Sequence, residues 1–218
     1  MTNAFYVALT FKLRTMGLAE RAAATKAAED SPWEHLGVER EDLEKAVAQV
    51  AGKADVDLLL PFAQRLWNEP VWEFKVAALK TLAPEHVSTS PELWDFVRAT
   101  ATQVDGPRLA HNLAPVAQKC LRDYPTRLAD VGAWVKHRNA WVRMLAILAV
   151  QDWAGADHDV AEVLPWAAQL AADPADNVQE ALGHWLHVFG ACDPSARNAF
   201  LAEHGAEMSE AARAEAGR

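Results

Sequence analysis

The sequence predicts an all-α protein, an α-solenoid of paired helices, and three observations carry that prediction. One helix pattern recurs: Trp72–Leu79 (WEFKVAAL), Trp141–Leu148 (WVRMLAIL) and Val178–Trp185 (VQEALGHW) each open on a bulky residue, carry polar groups early and continue through small and aliphatic residues. The first two copies are 69 residues apart and the last two 37, and half of 69 points near Gly106, where Pro107–Ala114 (PRLAHNLA) fits the same register. Self-similarity at a period of a few tens of residues marks a repeat array. β-Branched residues alternate over no useful length, so strands are not indicated. Helix punctuation, by contrast, is abundant.

The elements follow in order. Helices are expected over 3–16, 18–29 and 39–51, with the loop Ser31–Val38 (SPWEHLGV) between the second and third; these form an N-terminal helical cap, residues 1–54. Asp55 is placed to cap a helix over 56–68, which pairs with 71–83. Ser90 followed by Pro91 starts 91–102, paired with 107–123, since proline suits the first helical position. Tyr124-Pro125 opens 126–136, and Asn139 caps its partner 140–153. A helix over 159–172 pairs with 177–190, capped by Asp176, and Asp193-Pro194 starts 194–204. Connections within a pair are two to six residues, as between antiparallel neighbours. Residues 55–190 thus form paired-helix repeats of HEAT-like type, and 191–218 a C-terminal helical cap ending in a frayed Ala/Glu-rich tail, all in a single domain, 1–218. The repeated pattern always falls on the second helix of a pair, so the second helices are expected to line the concave, ligand-facing side.

Composition narrows the function classes. The 218 residues are 51% hydrophobic, enough for a substantial core, with nine Trp and two Tyr. A net charge of −9 is unusual for a nucleic-acid binder, although a basic face on an acidic body is compatible with it. Cys120 and Cys192 are too few and too distant for a disulfide framework, and a reduced cytoplasmic setting is expected. The longest apolar run, Met144–Val150, is far too short to span a bilayer. No phosphate loop, nucleophile elbow or Cys-rich metal site is visible, and no cofactor is expected.

Candidate residues cluster on the second helices. Lys75, Arg108 and Arg143 sit in first turns at nearly equivalent repeat positions, and with Lys136 and Arg138 they suit a discontinuous basic stripe spaced for phosphates. His111 and Asn112 interrupt an apolar stretch, either as buried, hydrogen-bonded groups or as groups projecting toward a ligand. Most tryptophans are expected in the core; Trp141 and Trp185 are the two suited to stacking on bases or sugars. Glu180, His184 and His187 share one helical face, but without a fourth ligand or an HExxH motif they read as a solvated polar face, and no metal site is assigned.

The stretches Arg65–Leu79, His35–Val38, Asn139–Leu148 and Ala181–Trp185 together resemble the AlkD family of DNA alkylation repair proteins, in that family's order and spacing, across most of residues 30–190. The resemblance implies an AlkD-like fold of HEAT-like repeats that binds duplex DNA in its groove. It also implies excision of cationic N3- or N7-alkylated purines in active members. Those members carry a Trp-Asp-x-x-Asp motif whose second carboxylate stabilises charge at the sugar. Here its Trp falls at Gly106 and that Asp at Ala110, so neither side chain is present. The nearest alternatives are Asp105 and His111. The family's Arg falls at Met144, beside Arg143, and its last Trp at His184, beside Trp185; with His187 these complete the expected DNA-binding set. The competing expectation is a non-catalytic HEAT-repeat scaffold that binds a protein or an RNA.

Overall fold

The computed structural model describes residues 2–154 and 160–218, so Asp159, the start expected for the 159–172 helix, lies outside the described residues. Among them are thirteen α-helices and no strand. Two compact units form, one from residues 1–100 with 105–123 and the other from 101–104 with 124–218.

The first unit carries α1 (Thr2–Met16), α2 (Ala19–Glu29), α3 (Arg40–Ala51), α4 (Val56–Trp67), α5 (Trp72–Leu82), α6 (Pro91–Ala101, whose last residue falls in the second unit) and α7 (Pro107–Asp123). Its centre is α5, which packs on α3, α4 and α7. Trp72, Phe74, Val76, Ala77, Ala78, Leu79 and Leu82 are all buried, and so are the polar Glu73, Lys75 and Thr81. A helix buried on every side needs apolar residues all round, which explains why its pattern stood out in the sequence. The 31–38 loop docks on the start of α5. Glu34 N–H donates to Pro70 O at 3.0 Å, and Trp72 N–H to Glu34 O at 2.9 Å. The buried Glu73 carboxylate accepts the backbone N–H groups of Leu36, Gly37 and Val38 at 2.9, 2.7 and 3.3 Å. Gly37 is obligatory there: its φ is +76°, and a Cβ would lie 2.2 Å from Leu18 O.

The second unit carries α8 (Leu128–Trp134), α9 (Ala140–Ala149), α10 (Leu164–Ala171), α11 (Asp176–Cys192), α12 (Pro194–His204) and α13 (Glu210–Ala216). Three expected helices are shorter than their sequence ranges. A 3-10 turn, Pro125–Arg127, precedes α8; another, Gln151–Ala154, follows α9; and a third, Val160–Glu162, precedes α10. Pro165 accounts for the late start of α10, because proline lacks an N–H and fits only the first turn. The Trp185 indole donates to Val150 O at 3.1 Å, just where α9 stops. Asn139, Ser90 and Asp193 cap as expected, with side chains accepting from Trp141 N, Leu93 N and Ala196 N. Asp55 holds its cap position without a side-chain bond, and Asp176 sits one residue inside α11.

The tail is not frayed. Ser209 Oγ accepts Ala212 N–H at 3.1 Å, and α13 docks on α11 with Ala212 and Ala216 buried. Gly183 makes the approach possible, since a Cβ there would lie 2.6 Å from Ala212 O.

One device recurs in both units: a side chain of one helix caps the carbonyl end of an earlier one. Lys75 Nζ on α5 donates to Trp67 O at the end of α4, at 2.6 Å. Lys119 Nζ on α7 donates to Leu82 O, Pro84 O and Val87 O after α5. Arg143 Nη1 on α9 donates to His137 O and Arg138 O, beyond α8. Gln179 Nε2 on α11 donates to Leu170 O, Ala171 O and Asp173 O, and its Oε1 accepts Ser209 N–H at 2.9 Å. Terminal carbonyls lack intrahelical donors and carry partial negative charge, so Lys, Arg and Gln all serve.

Candidate functional site

The densest set of chemically capable groups lies in the first unit, at the start of α7. Asp105, just before that helix, is half-buried, and its Oδ2 accepts the Trp33 indole N–H at 2.5 Å. The Lys75 ammonium sits 4.0 Å from the Trp33 ring centroid and 4.8 Å from that of Trp67. Burial pushes the Asp105 carboxyl above the ordinary carboxylate range, opposed by the Trp33 hydrogen bond and the Lys75 charge. Burial pulls Lys75 down, and the Asp105 charge opposes it. Each stabilises the charged form of the other across a tryptophan.

Two further side chains close around this pair. His35, on the docked loop, stacks on Trp72 at 5.0 Å between centroids, is 9% exposed, and neither ring nitrogen has a hydrogen bond. Burial lowers its pKa, with the charge of Glu73 opposing. Glu29, the last residue of α2, pairs through Oε1 with Arg108 Nε at 2.9 Å, and the Arg108 guanidinium lies 5.6 Å from the Trp72 ring. Burial raises the Glu29 carboxyl, opposed by Arg108. The result is a carboxylate and a cation held among indoles, where charge interactions are stronger than in water. Such a setting suits a ligand or transition state that carries positive charge.

In the second unit a basic loop is held rigidly. Arg143 forms a two-point pair with Asp173, Nε–Oδ2 2.5 Å and Nη2–Oδ1 2.9 Å, while its Nη1 holds the carbonyls of His137 and Arg138. Asp173 raises the Arg143 pKa further. The Lys136 and Arg138 side chains on that loop are exposed, and Trp141 beside it is half-buried.

The other expected positions divide sharply. Lys75 is 4% exposed and Arg143 is bound to Asp173, so neither forms a surface stripe; their shared register reflects the capping of preceding helices. Arg108 remains largely exposed beside Glu29. His111 is exposed, and Asn112 Nδ2 donates to Arg108 O one turn back on α7. Trp185 is 1% exposed, stacked on Phe189 and bonded to Val150 O, so it is core and offers no stacking face. His184 is exposed with Nε2 2.8 Å from Gln151 Nε2, and His187 is half-buried with Nδ1 unbonded. Among the described residues, no three His, Cys, Asp or Glu side chains gather as a metal site, and Glu180 stays exposed. Ala110 is fully buried, so a carboxylate in that register would face the core of the unit. The sequence alone did not single out Glu29 or Trp33, and His35 entered only within the His35–Val38 stretch of the family resemblance; the 31–38 loop was the available signal.

A sequence model of the DNA alkylation repair enzyme family matches residues 9–218, and the chain belongs to that family. Solved structures agree in fold. An Enterococcus faecalis protein described as a predicted DNA alkylation repair enzyme matches with a TM-score of 0.77 at 15% identity, over 93% of this chain and 96% of that one. AlkD2 from Streptococcus mutans matches at 0.64 and 17%, over 91% and 97%, and smu.31 from Streptococcus mutans UA159 at 0.63 and 17%, over 82% and 91%. No curated protein matches the chain. Among the described residues no helix is long and apolar enough to cross a membrane.

Proposed function

We propose that the protein binds duplex DNA and releases positively charged, alkylated purines at the Asp105 site. The observation that carries this reading is the Asp105 carboxylate, held by the Trp33 indole N–H at 2.5 Å and half-buried at the start of α7. An alkylated purine already carries the charge that makes it a good leaving group. The protein must therefore grip the duplex and stabilise the cationic sugar that develops as the glycosidic bond breaks. Asp105 supplies the stabilising carboxylate, five residues before Ala110. The half-buried indole of Trp33 offers an electron-rich face to a cationic base. Exposed Arg108, Lys136 and Arg138 suit phosphate contacts.

The test is release of 7-methylguanine or 3-methyladenine from alkylated duplex, beside a salt titration of duplex affinity. Wild type is expected to release base and Asp105→Asn to lose about 10²-fold or more in rate, the scale of one electrostatic transition-state group. Affinity is expected to fall steeply with salt.

A second reading, a non-catalytic scaffold for a protein or an RNA, is favoured by one observation: on a chain of net charge −9, Lys75 and Arg143 are committed to internal bonds. Absence of duplex binding at low salt selects that reading.

A further inference from the structure

We infer that Glu29 is the general base of the Asp105 site, taking a proton from the water that attacks the sugar. This inference rests on the proposed release of alkylated purines. It starts from an orphan atom. The Glu29 side chain is 5% exposed; its carboxylate pairs through Oε1 with the Arg108 guanidinium and lies by the Arg108 backbone N–H, while Oε2 is buried without a hydrogen bond of ordinary geometry. A buried carboxylate oxygen without a donor is costly, and proteins keep such atoms where a water or substrate group completes the set.

Its position gives the orphan a task. A Cβ built on Gly106 would lie 3.2 Å from Glu29 Oε2, so the oxygen stands directly over the residue that follows Asp105. The two carboxylates, one ending α2 and one preceding α7, are close enough for the Asp105 charge to raise the Glu29 pKa. Gly106 is also where the family's Trp falls in the repeat register. Any side chain there would crowd Glu29 Oε2 from its first carbon onward.

The two carboxylates are differently equipped. At Asp105 burial raises the carboxyl pKa, while the Trp33 hydrogen bond and the Lys75 charge oppose the rise and give its ionised form a donor and a counter-charge. Glu29 is faced by Arg108 and Asp105, and its buried Oε2 keeps a lone pair for a proton. Burial holds its carboxyl above the ordinary range, which favours proton uptake closer to neutrality. In the step, the water oxygen forms a bond to the anomeric carbon as the carbon–nitrogen bond breaks. That bond's electron pair goes to the cationic purine, which leaves neutral, and the water's proton passes to Glu29 Oε2.

The experiment is single-turnover release of 7-methylguanine from a methylated duplex between pH 5 and 9, with duplex affinity measured in parallel. Wild type is expected to speed up as pH rises and then level off. Glu29→Gln is expected to lose about 10²-fold or more in rate and the rise with pH while still binding the duplex. Added formate is expected to restore part of the rate to Glu29→Ala and none to Asp105→Ala. Gly106→Ala keeps the Glu29–Arg108 pair but crowds Oε2, and is expected to be slowed as well; it decides the matter if the Glu29 variants do not fold. Wild-type rate and pH profile in Glu29→Gln, or in Gly106→Ala when that variant decides, overturn the role of Glu29 and leave the Asp105 reading standing. No base release by wild type overturns both.

Discussion

Gly183→Ala places a methyl group where the α11–α13 contact has no room for it. The added Cβ would lie 2.6 Å from Ala212 O, 2.9 Å from its Cα and 3.1 Å from its carbonyl carbon. These are backbone atoms, so no side chain can swing away. To reach an ordinary contact of 3.4 Å, α13 must retreat by about 0.8 Å as a body, the gap between that value and 2.6 Å. The retreat loosens Ala212 and Ala216, both buried, and strains the Ser209–Gln179 link at the head of the helix. Overpacking of this kind costs about 1–3 kcal/mol. With a urea dependence of about 2 kcal/mol per molar, the midpoint should fall by roughly 0.5–1.5 M. The control is Gly217→Ala at the end of α13, where the nearest atom to the new Cβ is 3.4 Å away and the φ is −82°. It should stay within about 0.5 kcal/mol of wild type. Equal midpoints for the two variants would refute the reasoning, because they would mean that α13 does not lie against Gly183.

Arg143→Lys keeps the charge and loses the two-point fork on Asp173 together with the hold on the 137–138 carbonyls. A loss of about 1–3 kcal/mol is expected in chemical denaturation, since a single ammonium cannot reproduce a bidentate pair. His35 gives a pH signature. Its folded pKa is depressed by burial, so the unfolded chain binds the proton first as pH falls through the ordinary histidine value of 6.5. Its contribution is therefore complete above that value and declines below it, by at most about 1.4 kcal/mol per pH unit, until the folded form also protonates. His35→Phe preserves the stack on Trp72, and its urea midpoint should fall less than that of wild type between pH 7.5 and 5.5; parallel curves would refute this. Trp185→Phe should cost about 1 kcal/mol or more of stability from the lost bond to Val150 O and the smaller ring, with no change in duplex affinity; weakened DNA binding at unchanged stability would return Trp185 to the interface.

Helix type and order were legible because the repeat, the proline starts and the Ser90, Asn139 and Asp193 caps are local signals. The tail was not, because its order depends on a glycine far along the chain: Ala212 finds its place only where Gly183 lacks a Cβ. Pattern also misassigned Lys75 and Arg143. Their equivalent positions were real, but a sequence register does not say whether a cation points to solvent or back onto the preceding helix. Asp105 could be found as the carboxylate nearest α7. Glu29, Trp33 and His35 could not, because their meeting depends on a loop folded over by Glu73, which accepts three of its backbone N–H groups.

The capping of one helix by another has a consequence for how such a chain can drift. The task set at each junction is to offer hydrogen to carbonyls at the end of an earlier helix, and Lys75, Lys119, Arg143 and Gln179 all do so. Charge is incidental, since Gln179 is neutral and serves three carbonyls. Selection on a junction therefore sees donor capacity and reach, while residue identity is free to wander among long donor side chains. A repeat maintained this way keeps its geometry while its spelling decays, and copies built alike can look unrelated.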